Sequence, residues 1–184
     1  MQDRLSLIGA ITLTLLLLFV VLNFPSVIGA DAPSNFANCR LGAAVICNPI
    51  TAYDYSSLNL GWYVSYSTSG TPLEPNGVEF AQIVRIHQAK NSWTRDNYVI
   101  PYTYTLQSPS TFAVLRNQAL SSPGSKWFIG NEPDRRDWGT GGAHQDEIVP
   151  ELYAQAYYEI SQVIRQADPT AKIGPGGVVQ GTPL

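Results

Sequence analysis

The stretch 126–134 constrains the fold more than any other part of the sequence. It begins with Lys-Trp-Phe-Ile directly after a Pro-Gly turn signal, which is typical of a buried strand. The strand should end at Asn131 and Glu132, because Pro133 has no N–H for a further ladder hydrogen bond. A polar pair at the carboxyl end of a strand is typical of the edge where α/β barrels carry catalytic groups, and a partly desolvated carboxyl group suits general-acid catalysis. The alternative is a strand that ends in a solvated polar turn.

Hydrophobic periodicity predicts strands and helices from residue 58 onward. The predicted strands are 58–66, 79–88, 98–106, 126–132 and 171–179, and the predicted helices are 110–120 and 150–167. Pro101 makes 98–106 an interrupted or edge strand. Pro150 at the first helical position and Asp168-Pro169 after the last one bound the clearest helix. The order of elements over 98–179 fits crossover helices on a parallel sheet, in either a barrel or an open doubly wound sheet.

Residues 1–30 form a predicted signal peptide or membrane anchor. Arg4 precedes an apolar run of 18 residues over 5–22, which is at the lower limit for spanning a bilayer and long for a signal-peptide core. Ala30 offers a cleavage position, and cleaved and uncleaved forms both remain open. We therefore expect an extracytoplasmic protein, secreted or anchored to the cell membrane by this helix. Residues 31–57 are predicted as a linker or irregular cap, and 58–184 as the folded domain.

Composition excludes some partners. The formal net charge is -3 and basic runs are missing, which argues against nucleic acid. Two cysteines and two scattered histidines do not make metal-ligand spacing, so we expect no metal and no cofactor. Cys39 and Cys47 stand eight positions apart in a loop-like stretch, where an exported protein could form a disulfide. Two free thiols are the alternative.

Gly-Asn-Glu-Pro at 130–133, after an apolar strand, resembles the fourth-strand motif of clan A glycoside hydrolases. Residues 123–184 resemble the middle of bacterial exported barrel hydrolases of this kind, and residues 58–90 resemble their first two strands more loosely. The resemblance implies an α/β fold, a partial (β/α)8 TIM barrel of about five strands that forms the N-terminal half of the whole. One departure is Val149 at the helix-cap position, since a valine side chain cannot cap.

The same resemblance implies hydrolysis of O-glycosidic bonds in a poly- or oligosaccharide. Glu132 would be the acid/base, and Asn131 would bind the sugar 2-hydroxyl. Arg85 and His87, at the end of the second predicted strand, match places where clan members put polar groups, and Trp138 could stack on a sugar ring. The alternatives are a solvated Arg and His, and a Trp that anchors its loop.

Hydrolysis needs a second carboxyl group, which clan A barrels place on the seventh strand. This sequence reaches only about five strands, so we expect the chain by itself to be inactive. Asp146 and Glu147 do not stand at a strand end, and we interpret them as an acidic approach to the following helix N-terminus. The alternative function is a non-catalytic cell-surface module that binds polysaccharide.

Overall fold

The computed structural model describes residues 38–92, 96–136 and 145–179, all within the second of two units of the chain, Ala37–Leu184. The predicted targeting segment 1–30 and its hydrophobic helix lie outside the described residues. Within the described ranges, no helix is both long enough and apolar enough to cross a membrane.

The first sheet has three parallel strands in the order β1-β2-β3: β1 (Asn38–Ala44), β2 (Leu60–Val64) and β3 (Glu79–Phe80). The connections contain only short 3-10 helices, at Ile50–Ala52 and Pro75–Gly77. β1 lies in the stretch that the sequence predicts as a linker. A Cβ at Gly42 would come within 2.2 Å of the Trp62 ring, so the missing side chain allows β1 to pack against β2. The core of this sheet consists of Val45, Ile50, Tyr63, Val78 and Phe80.

The second sheet has four strands in the order β5-β4-β6-β7: β4 (Gln82–Gln88), β5 (Tyr104–Ser108), β6 (Lys126–Ile129) and β7 (Lys172–Pro175). β4, β6 and β7 are parallel, whereas β5 pairs with β4 in the antiparallel direction. Ile129, the last residue of β6, lies beside Val84 of β4 and Pro175 of β7. The carboxyl ends of the three parallel strands therefore share one edge.

Two α-helices pack with the second sheet: α1 (Phe112–Ser121) and α2 (Pro150–Ala167). α1 begins after Thr111, whose side-chain oxygen accepts a hydrogen bond from the backbone N–H of Val114 at 3.2 Å. Val149 precedes α2 and makes no side-chain cap bond. The buried residues of this core are Val84, Ile86, Leu115, Ala119, Trp127, Ile129, Ile148, Leu152, Ala156, Ile160 and Ile164.

The predicted partial (β/α)8 barrel is wrong. The described residues form a mixed α/β structure with two sheets and two α-helices. No α-helix joins β1 to β2 or β2 to β3 along the continuous range 38–92, and β5 adds an antiparallel edge to the second sheet. The physical reason is that the motif at 130–133 specifies only how one strand ends. It contains no information on the connections between strands or on closure of a sheet.

Candidate functional site

The chain leaves β6 through a turn with two left-handed residues. Gly130 has φ 89° and Glu132 has φ 52°, which is uncommon for a residue with a side chain. The N–H of Gly130 donates to the carbonyl of Val84 at 2.8 Å, and the N–H of Glu132 donates to the carbonyl of Gly177 at 3.0 Å. The turn is therefore fixed to β4 on one side and to the segment after β7 on the other. Strict alternation of side chains no longer applies to Asn131 and Glu132.

Helix α2 presses on the same turn. A Cβ at Gly130 would lie 3.1 Å from Cε2 of Tyr153 and 3.6 Å from Oδ2 of Asp146. The hydroxyl of Tyr153 donates to the carbonyl of Ile129 at 2.7 Å and accepts from the N–H of Gly176 at 3.1 Å. One side chain of α2 thus ties the end of β6 to the end of β7.

Asp146 makes the corresponding connection between β6 and β4. Asp146 as a whole is buried, at 0% exposed. Oδ1 accepts from Nε of Arg85 at 2.6 Å, and Oδ2 accepts from the backbone N–H of Asn131 at 2.7 Å and of Ile86 at 3.1 Å. Burial raises the pKa of Asp146 to about 6, although the Arg85 guanidinium and the two N–H donors oppose the shift. The carboxylate joins the end of β4 to the turn after β6.

Glu147 makes a second buried charge cluster on the β4 side. Oε2 of Glu147 lies 2.9 Å from Nζ of Lys90, and the hydroxyl of Tyr98 donates to Oε1 at 2.5 Å. Nε2 of His87 lies 4.0 Å from Oε2. Burial, and then the hydrogen bond to Glu147, raise the pKa of Tyr98. Both carboxylates therefore sit among donors and cations, as buried charges require.

The backbone of 145–149 fills the gap between β4 and the turn. Asp146 donates its N–H to the carbonyl of Asn131 at 3.2 Å, and Ile148 donates to the carbonyl of Pro133 at 3.0 Å. On the other side, the N–H of Gln88 donates to the carbonyl of Glu147 at 3.3 Å. The sequence interpretation of this acidic pair as an approach to the following helix N-terminus does not include the burial of the two carboxylates between β4 and the turn. No local sequence signal reveals this, because the cations that pair with the two acids, Arg85 on β4 and Lys90 just after it, are 61 and 57 residues away in sequence.

The predicted site residues differ in how far their side chains are exposed to solvent. The Glu132 side chain is 28% exposed, and its Oε2 accepts from Nη1 of Arg135 at 3.1 Å. Nδ2 of Asn131 lies 3.4 Å from Oε1 of Gln145. The Arg85 side chain is 12% exposed and pairs with Asp146, whereas His87 is buried.

For the other predicted residues, the structure gives no contacts at this edge of the sheet. Trp138 lies outside the described residues. Cys47 is exposed, but the side chain of Cys39 lies outside them, so the disulfide stays a prediction. Among the described residues, no group of three or more His, Cys, Asp or Glu side chains could hold a metal ion.

A cleft of about 230 Å³ lies at the carboxyl ends of β1 and β2, apart from the turn that carries Glu132. Its walls include Val45, Ile50 and Leu73, with the hydroxyl-bearing Ser65 and Ser69 at its border. It has little charge and belongs to the core of the first sheet.

Comparisons of the chain with protein-family models, with curated proteins and with solved structures found no match in any of the three. The resemblance to clan A glycoside hydrolases stays a prediction from the sequence.

Proposed function

We propose that this chain carries a glycoside hydrolase-type carbohydrate site, with Glu132 as acid/base and Asn131 as ligand of a sugar hydroxyl. One observation supports this choice above the others. Of the carboxylates at 132, 146 and 147, only Glu132 is open to solvent, because Asp146 is 0% and Glu147 1% exposed. A substrate can reach Glu132 without displacing any part of the described core.

The surroundings of Glu132 leave its carboxyl group accessible to a bound sugar. Its partner Arg135 is a half-exposed side chain, so the ion pair is weak and easily exchanged for a substrate contact. The backbone of Asn131 is held on both sides, by its N–H to Asp146 and its carbonyl to the Asp146 N–H. The fixed backbone restricts where the Asn131 side chain can point, which lowers part of the entropic cost of binding a hydroxyl. The turn therefore places an accessible carboxyl group next to an amide, which supports the proposed pair of roles.

Cleavage also requires a second carboxylate on the opposite face of the sugar. Asp146 and Glu147 do not fill that role, because buried donors already occupy their oxygens. Because neither of these two carboxylates is available, we expect the described part of the chain to bind saccharide without hydrolysing it. Carbohydrate as the partner agrees with the extracytoplasmic location that we predict from residues 1–30.

Saccharide binding by three variants tests the proposal. The wild-type chain should bind at least one member of a panel of plant and microbial oligosaccharides. Asn131→Ala should weaken that binding about tenfold, the loss of one well-placed hydrogen bond, whereas Glu132→Gln should stay within about threefold of wild type. Glu151→Gln, on the exposed first turn of α2, is the control and should bind as wild type does. A wild-type chain that binds no saccharide of the panel would show the proposal to be wrong.

The alternative is a cell-surface polysaccharide-binding module in which Glu132 has no chemical role. It shares the binding prediction for Asn131 but not a reactive carboxyl group at 132. Chemical labelling of that carboxyl group separates the two.

A further inference from the structure

We propose that Asp146 is a positioning residue of this site, whose carboxylate fixes the backbone of Asn131 and thereby the direction of the Asn131 and Glu132 side chains. The positioning is a statement about the turn itself. Only what the positioned groups do depends on the proposed function.

The carboxylate of Asp146 accepts hydrogen bonds from β4 and from the turn after β6. Nε of Arg85 and the N–H of Ile86 reach it from β4, and the N–H of Asn131 reaches it from the turn after β6. The two N–H groups share Oδ2, and the Arg85 guanidinium takes Oδ1. β6 ends at Ile129, which pairs with Val84, whereas β4 continues to Gln88. Beyond this last pair, strand-to-strand ladder hydrogen bonds no longer join β4 and β6. The carboxylate supplies the missing connection.

The titratable neighbours of Asp146 at Tyr153 and Glu147 have hydrogen-bond partners of their own. Tyr153 faces it from α2, and its hydroxyl is already shared between Ile129 and Gly176. Glu147, its neighbour in sequence, points to Lys90 and Tyr98. The absence of a side chain at Gly130 leaves room for the contact, since Oδ2 lies 3.6 Å from where a Cβ would be. Among the described residues, the charged and titratable groups facing Asp146 are Arg85, from β4, and Tyr153, from α2.

The carboxylate form matters because an amide cannot replace it. Asp146→Asn offers one oxygen where the native side chain offers two, and its NH₂ group would face either the guanidinium or the backbone N–H donors. One strand or the other then loses its acceptor. The turn should consequently loosen at Asn131 even though the volume of the side chain is unchanged.

The backbone amide of Asn131 reports this directly in two-dimensional NMR spectra of the full chain. As pH falls from about 8 to 5, the ¹⁵N–¹H signals of Asn131 and Ile86 should move together with one midpoint near pH 6, the pKa of Asp146. Asp146→Asn should abolish the shared midpoint. Asp168→Asn is the matched control, since Asp168 is also buried but bonds to Gly124 and Thr170 instead. It should leave the midpoint in place.

Arg85→Lys provides a second variant that keeps the positive charge. It removes the 2.6 Å contact from Nε, which favours the ionised carboxylate, so the Asn131 midpoint should move to higher pH. The proposal is overturned if the Asn131 signal titrates with the same midpoint in Asp146→Asn as in the wild-type chain, or if the Asn131 amide exchanges its hydrogen no faster in Asp146→Asn than in the wild type.

Saccharide binding then separates this proposal from the proposed function. Asp146→Asn should weaken binding about tenfold, and Asp168→Asn should leave it within about twofold. Titration of Asn131 with no saccharide binding by the wild-type chain would support the positioning role and remove the carbohydrate site. Binding that is unaffected by Asp146→Asn would overturn the positioning role while leaving the carbohydrate site intact.

Discussion

The carboxyl ends of β1 and β2 differ in construction from the carboxyl ends of β4 and β6. The first pair opens into a weakly polar cleft of about 230 Å³. The second pair is filled by 145–149, which brings two buried carboxylates to meet Arg85 and Lys90. The two regions differ in the interactions that fix the chain where the hydrogen bonds between strands end. Apolar packing leaves space in the first region, whereas charge-assisted hydrogen bonds hold the turn in the second.

The largest effect should come from removing the carboxylate of the second region. Asp146→Leu removes the acceptor of Arg85 and of two backbone N–H groups in a buried site, which should lower the free energy of unfolding by about 3–5 kcal/mol. Urea unfolding measures the change. Asp96→Asn, in the exposed pair of Asp96 with Arg136, is the control and should cost less than about 1 kcal/mol. Equal losses in the two variants would mean that the buried pair has no special weight.

Truncation of one buried isoleucine in each region compares the packing. Ile129→Ala removes a side chain that is 0% exposed in the core of the second sheet and should cost about 3–4 kcal/mol. Ile50→Ala borders the open cleft, where water can occupy the new space, and should cost about 2 kcal/mol. Unfolding midpoints of both variants test the difference. A larger loss at Ile50 would contradict the assignment of the cleft as the looser region.

The free energy of unfolding should change with pH in a way that follows the titration of Asp146. Because its pKa is raised to about 6, the folded state binds this proton more tightly than the unfolded state does. The stabilisation is complete below the unfolded pKa of 3.8 and is lost as pH rises through about 6. From pH 4 to pH 7 the wild type should therefore lose about 2–2.5 kcal/mol relative to Asp146→Asn. A constant difference between the two across this range would rule out the raised pKa.

Two glycines with positive φ isolate the contact between α2 and the turn. Gly130→Ala combines backbone strain with a Cβ 3.1 Å from Tyr153 and should cost about 2–3 kcal/mol. Gly77→Ala has a similar φ of 78° but nothing within 4 Å, so it should cost only about 1 kcal/mol. Thermal unfolding of the pair gives the difference. Similar costs would mean that Tyr153 moves aside readily.

Local signals predicted much of the fold. α2 begins at Pro150 and ends at Ala167 as predicted, because a proline opens it and Asp168-Pro169 closes it. β6 begins at Lys126 as predicted and stops at Ile129, before the polar pair. The prediction lacks β1, since the polar and small residues of this strand show no apolar alternation, although it pairs with β2 from Asn38 to Ala44. The direction of β5 and the closure of the sheet are properties of distant segments, which explains why the barrel prediction failed.

The candidate site is likewise predictable from the sequence only in part. The place of Glu132 at a strand end follows from the apolar run before it and from Pro133 after it. The burial of Asp146 does not, because its acceptor oxygens meet donors on β4 that are 60 and 61 residues away in sequence. A pair of adjacent acids is usually solvated, and only the folded arrangement shows which cations neutralise these two.

The most direct test of a reactive Glu132 is covalent labelling by an oligosaccharide glycoside whose aglycone carries an epoxide. A carboxylate positioned at the glycosidic oxygen opens the epoxide and forms an ester, which peptide mass spectrometry locates. Our account predicts an ester on Glu132 that forms more slowly when free oligosaccharide competes, disappears in Glu132→Gln and persists in Glu151→Gln. Labelling spread over exposed carboxylates such as Glu151, with no protection by oligosaccharide, would contradict it.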